Sequence, residues 1–64
     1  MNIFVQASGK TRNLSFRGTA YELLSRLDIN PETVIVTKNN SIITLDETLA
    51  DSDEIKILSV VSGG

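Results

Sequence analysis

Thr19-Ala20-Tyr21-Glu22-Leu23-Leu24-Ser25-Arg26-Leu27 is the stretch around which the rest of the chain arranges itself. Thr19 followed three residues later by Glu22 is the pattern of a capping box, in which the hydroxyl serves the N3 amide and the carboxylate serves the N-cap amide. Ala20, Leu23, Leu24 and Leu27 fall at i, i+3, i+4 and i+7 and make one apolar helical stripe. Asn30-Pro31 stops the pattern, because proline disfavours α geometry in the residue before it. The spacing predicts a single helix over roughly residues 20–27.

On the N-terminal side, Ile3, Val5 and Ala7 alternate with Asn2, Phe4 and Gln6, the period of a half-buried strand. Ser8-Gly9-Lys10 is turn material. Leu14 and Phe16 then alternate with Asn13, Ser15 and Arg17, which predicts a second strand and an opening hairpin. On the C-terminal side, Val34-Ile35-Val36 is a β-branched third strand and Lys38-Asn39-Asn40-Ser41 a turn. Ile42 to Leu45 reads as a fourth strand. Residues 46–54 are polar and turn-rich with Leu49 as an apolar anchor, and Ile55 to Val61 reads as a fifth strand. Ser62-Gly63-Gly64 carries no structure-forming signal. One helix following a hairpin, with further strands behind it, is an α+β architecture of two layers, a sheet with one covered face.

Composition narrows the functions open to such a domain. The chain has 64 residues, 41% of them hydrophobic, and a formal net charge of -2. A domain of that length buries only about 60% of the surface its unfolded chain exposes, which leaves little interior for a deep substrate cleft. Lys10, Arg12, Arg17, Arg26, Lys38 and Lys56 are scattered rather than gathered into a stripe, so a nucleic acid is not an expected partner. Asp46, Glu47, Asp51, Asp53 and Glu54 concentrate in one region that reads as a solvated turn. There is no Cys and no His, which excludes disulfides, thiolate catalysis and the common zinc sites. Asp51, Asp53 and Glu54 lack the ligand spacing of a calcium loop, Ser8-Gly9-Lys10 lacks that of a phosphate loop, and Asp46-Glu47 has no cleft for paired acid–base work. Neither a metal nor a cofactor is expected. No run approaches the ~20 apolar residues of a membrane span, and no basic region followed by an apolar stretch opens the chain, so a cytoplasmic protein is expected.

The order of elements, with the terminal Gly63-Gly64, resembles the β-grasp fold of the ubiquitin-like proteins. Within it the chain is most similar to the ThiS and MoaD sulfur carriers and to the small archaeal modifier proteins. The segments that carry the resemblance are Thr44-Leu45 through Leu49, Asp51-Ser52-Asp53-Glu54-Ile55, and Val60-Val61-Ser62-Gly63-Gly64. Ser52 stands where the family usually has Gly, and Ser59 and Val60 where prolines are frequent, which loosens the link to the molybdopterin branch.

The resemblance implies a mixed sheet of four to five strands, with the first and last strands parallel neighbours at its centre and one main helix on one face. Leu23, Leu24 and Leu27 are then expected to pack on Ile3, Val5, Leu14, Phe16, Val34, Val36, Ile55 and Ile57. It implies a β-grasp domain over 1–61 and a flexible reactive tail over 62–64, with no enzymatic activity of its own. A C-terminal carboxylate, with an ordinary pKa of about 3.3–3.7, is ionised and a poor electrophile at neutral pH. In the family an ATP-dependent adenylating enzyme converts it to an acyl-adenylate on Gly64. A sulfur donor protein then gives a thiocarboxylate, for cofactor biosynthesis or tRNA thiolation, or a lysine amine gives an isopeptide bond. Gly63 supplies clearance in the enzyme's channel, since it has no Cβ, and Val61 and Ser62 set the reach. With the end already exposed, no processing protease is expected. Sulfur carriage to a downstream acceptor enzyme leads; a ubiquitin-like modifier conjugated to target lysines, and a β-grasp interaction module acting only through its surface, remain open. By alternation Phe4, Leu58 and Val60 point away from the helix and form an exposed apolar patch, rimmed by Arg17 and Lys56, on which the adenylating partner is expected to dock.

Overall fold

The computed structural model describes residues 1–60. The helix α1 spans Ala20–Arg26, and its capping box is formed as the sequence predicts. Glu22 N–H donates to Thr19 Oγ1 at 3.2 Å, and Thr19 N–H donates to Glu22 Oε1 at 2.9 Å. Leu27 is the C-cap. Asp28 follows in the left-handed region (φ 60°), Ile29 N–H donates to Leu24 O at 2.9 Å and Asp28 N–H to Ser25 O at 3.1 Å. That pair of bonds is a Schellman closure, with Asp in the place glycine usually takes.

Five strands form one sheet: β1 (Asn2–Val5), β2 (Lys10–Asn13), β4 (Val34–Lys38), β5 (Ser41–Ile43) and β7 (Glu54–Ser59). Their order is β2-β1-β7-β4-β5, and β1 and β7 run parallel with Ile3 beside Ile55 and Val5 beside Ile57. The expected parallel pairing of first and last strands is therefore present, with β7 central. Two further strands, β3 (Gly18–Thr19) and β6 (Thr48–Leu49), pair antiparallel in a separate ribbon at the N-terminus of α1. The 3₁₀ turn Pro31–Thr33, capped by Asn30, leads into β4. Among the described residues no helix is long and apolar enough to cross a membrane.

The core lies between α1 and one face of the sheet. Ile3, Ala20, Leu23, Leu24, Val36, Leu49, Ile55 and Ile57 are buried, with Val5, Leu14, Phe16, Leu27 and Val34 packed around them. Every residue expected at the helix–sheet contact takes part. At ~1.5–3 kcal/mol for each fully buried Leu or Ile side chain, this small set supplies most of the favourable term in folding.

The second strand is where the sequence reading needs correction. β2 occupies Lys10–Asn13, not the apolar alternation at Leu14 and Phe16. The chain turns at once after Val5, whose carbonyl accepts from Gly9 N–H at 2.9 Å, and Gly9 sits at φ 68°. Strand pairing therefore begins at Lys10, and the strand is polar and exposed along its whole length. Leu14 and Phe16 instead cover the edge of the core, and Phe16 N–H donates to Asp51 Oδ1 at 2.9 Å. The fourth and last strands are also shorter than expected, Ser41–Ile43 and Glu54–Ser59. The ribbon β3–β6 lies in segments with no strand period to read.

Candidate functional site

The site begins where β7 ends. Val61, Ser62, Gly63 and Gly64 lie outside the described residues, so the structure bears on them through the base from which they emerge. That base is held from both sides. Ser59 N–H donates to Gln6 Oε1 at 2.8 Å, and Gln6 N–H to Ile57 O at 3.0 Å. On the other side Val60 N–H donates to Thr33 O at 3.0 Å, continuing the pairing of Ser59 with Val34. The sheet thus carries the chain in a fixed direction up to Val60.

The face of the sheet turned away from α1 has no covering layer among the described residues. Registers set one continuous row across all five strands: Thr11, Phe4, Lys56, Thr37 and Ile42. One step nearer the tail, Leu58 lies opposite Ile35. Phe4 and Leu58 are on neighbouring strands of this face, as the alternation predicts, and Val60 follows at 49% exposure. Two features differ from the expected patch. Phe4 and Leu58 are half-buried rather than fully exposed, because a central strand is flanked by neighbours on both sides. Lys56 stands within the face instead of on its rim, its Nζ donating to Asn40 Oδ1 at 3.2 Å, and Arg17 belongs to no strand of the five-stranded sheet.

The structure adds Ile35 and Ile42 to the patch, at 36% and 73% exposure. The signal for both was present: once Val34 and Val36 face the helix, Ile35 between them faces away, and Ile42 pairs with Thr37 on the same face. Thr37 is the unusual member. It is 7% exposed, and its Oγ1 has no hydrogen-bond partner among the described residues. An unpaired buried hydroxyl costs about 1–3 kcal/mol.

The acidic region is occupied by structural work. Asp53 Oδ2 accepts from Ala50 N–H at 2.8 Å and Oδ1 from Asn39 Nδ2 at 3.2 Å. The backbone bond to Ala50 and the amide of Asn39 hold the Asp53 carboxyl below its ordinary pKa, with Lys38 adding to the effect and desolvation opposing it. Glu47 pairs with Lys38 at 2.9 Å, and Asp46 accepts from the hydroxyl of Thr44. Among the described residues no three acidic side chains converge as metal ligands.

The sequence model of the ThiS family matches residues 5–64. An uncharacterized protein of Archaeoglobus fulgidus is 40% identical over 62 residues, 95% of this chain and 91% of that protein. The sulfur carrier protein TtuB of Thermus thermophilus is 37% identical over 43 residues, 67% of this chain and 66% of TtuB. Among solved structures, the crystal structure of the thiamine biosynthesis protein ThiS of Geobacter metallireducens superposes with a TM-score of 0.68 at 30% identity over the full length of both chains. The family match over residues 5–64, together with the full-length likeness to ThiS and the shared order of strands and helix, shows that this chain belongs to the ThiS family of ubiquitin-like sulfur carriers.

Proposed function

We propose that the chain, as a sulfur carrier, works through a thiocarboxylate on Gly64, with residues 1–61 as the carrier domain and 62–64 as the reactive tail. The observation that carries this reading is that the family match extends to residue 64, directly beyond the central strand β7. The carboxylate oxygen of Gly64 attacks the α-phosphorus of ATP on the adenylating enzyme and expels pyrophosphate. Sulfide, delivered by a donor protein, attacks the carbonyl carbon, and AMP leaves with the original carboxylate oxygen. The resulting thiocarboxylate passes its sulfur to an acceptor enzyme in cofactor biosynthesis or tRNA thiolation. Relatives described as a sulfur carrier and a thiamine biosynthesis protein favour this over conjugation to lysines through the same Gly63-Gly64.

The domain's part is positioning. The open face bearing Phe4, Leu58 and Val60, extended by Ile35 and Ile42, docks the adenylating enzyme, while Val61, Ser62 and Gly63 span the distance to ATP. Apolar anchors of this kind commonly contribute more than ~1 kcal/mol to binding. ATP–pyrophosphate exchange with the cognate enzyme is the test. Deleting Gly64 abolishes exchange without loss of fold, since the tail lies past the last strand. Phe4→Ala and Leu58→Ala raise the apparent KM by about fivefold or more while the circular dichroism spectrum persists. Full exchange by the deletion variant removes the Gly64 mechanism; unchanged KM in both alanine variants moves the docking surface elsewhere.

A further inference from the structure

The sheet has a second surface with binding character, on the opposite side and at its edge. β2 is an edge strand. Leu14 N–H donates to Met1 O, and the register sets Arg12 beside Ile3 and Lys10 beside Val5. In an antiparallel ladder these alternate residues turn their backbone groups toward β1, so those of Thr11 and Asn13 point outward from the free edge. Because Ile3 faces α1, the Arg12 side chain opposite it lies on the helix side as well, and Lys10 with it. Between this edge and the end of α1 runs a groove of about 430 Å³, with Val5, Leu27 and Ile29 as apolar floor and Lys10 and Arg12 along its side. Among the described residues neither cation forms an ion pair, and Asp28, which separates Leu27 from Ile29, pairs with neither.

We propose that this groove binds an extended segment of a partner protein, with an aliphatic core flanked by carboxylates, as a sixth strand added to β2. The outward N–H and C=O groups of Thr11 and Asn13 supply the ladder, Leu27 and Ile29 receive the aliphatic side chains, and Lys10 and Arg12 meet the acidic ones. The occupant is acidic because two unpaired cations flank the groove of a chain whose net charge is -2. The groove lies on the face opposite Phe4 and Leu58, so a segment bound here leaves the open face free. A partner can therefore hold the carrier while its tail is being processed.

Inward-pointing cations on an edge strand also serve simply to prevent pairing, and the experiment separates the two roles. The ¹⁵N-labelled full chain is titrated by NMR with the capped heptapeptide Glu-Glu-Val-Ile-Val-Glu-Glu. The proposal expects shifts confined to Lys10–Asn13, Leu27 and Ile29, with slowed exchange at the Thr11 and Asn13 amides. The double variant Lys10→Glu, Arg12→Glu, at two exposed positions, weakens binding about tenfold and accepts Lys-Lys-Val-Ile-Val-Lys-Lys instead. Absence of shifts at millimolar peptide, shifts centred on Phe4 and Leu58, or affinity unchanged in the double variant overturns the proposal. Tighter binding of hexathymidylate at the same amides overturns it as well and assigns the cations to phosphate.

Discussion

Gly18 occupies φ 146°, and a Cβ there would stand 2.8 Å from Glu22 Oε1 and 3.2 Å from the ring of Phe16. Glu22 Oε1 is the acceptor that closes the capping box on Thr19 N–H, so the backbone of one residue and the cap of the helix share the same space. Gly18→Ala adds backbone strain and pushes the carboxylate away from its donor. The expected loss is about 1–3 kcal/mol, read as a lower urea midpoint with the slope m unchanged. A loss within ~0.5 kcal/mol, the range of an uneventful surface change, would show that the cap has room the structure does not indicate. The same lack of a side chain has a different use at Gly63 and Gly64, where the proposed chemistry requires close approach to ATP instead of a special turn.

At the scale of elements, the hairpin of β4 and β5 is bolted to the start of β7. Asn39, at φ 51°, donates its N–H to Glu54 O at 2.8 Å and accepts Glu54 N–H on Oδ1 at 3.0 Å, while its amide nitrogen reaches Asp53. Asp53 closes the turn from the other side through Ala50 N–H. Because these bonds depress the Asp53 pKa in the folded state, their charge-dependent contribution is complete above the ordinary value of 3.8 and fades as pH falls through the lower folded value. Asp53→Asn therefore lowers Tm at neutral pH, and the gap to the unsubstituted protein narrows below about pH 4. A gap that is constant across that range would mean that the carboxylate charge plays no part. The helix and the central strand were legible because cap, period and proline stop agree at α1, and because β7 alternates buried Ile55 and Ile57 with Lys56 and Leu58. The polar strand β2 was not, since an edge strand away from the core has no apolar residues to alternate. Two-residue strands such as β3 and β6 are too short to show any period. Ile35 and Ile42 escaped the site because the patch was read from the alternation of the first and last strands alone, while these two lie on β4 and β5, whose place beside β7 the sequence does not fix.

Taken whole, the two faces of the sheet differ sharply in cover. One face carries the core under α1, the other bears Phe4, Leu58, Ile35 and Ile42, and the central strand between them leads to the tail. A chain this small has little interior for a deep cleft, and the function proposed for it puts the chemistry at Gly64 and a partner against the open face. The central claim is that Gly64 carries sulfur, and intact mass spectrometry of the protein isolated from its native cells tests it most directly. The account predicts a species heavier by the exchange of one oxygen for sulfur, localised to the C-terminal peptide and absent from the Gly64 deletion. A C-terminal carboxylate found only unmodified, or joined to lysines in a covalent ladder, would contradict it.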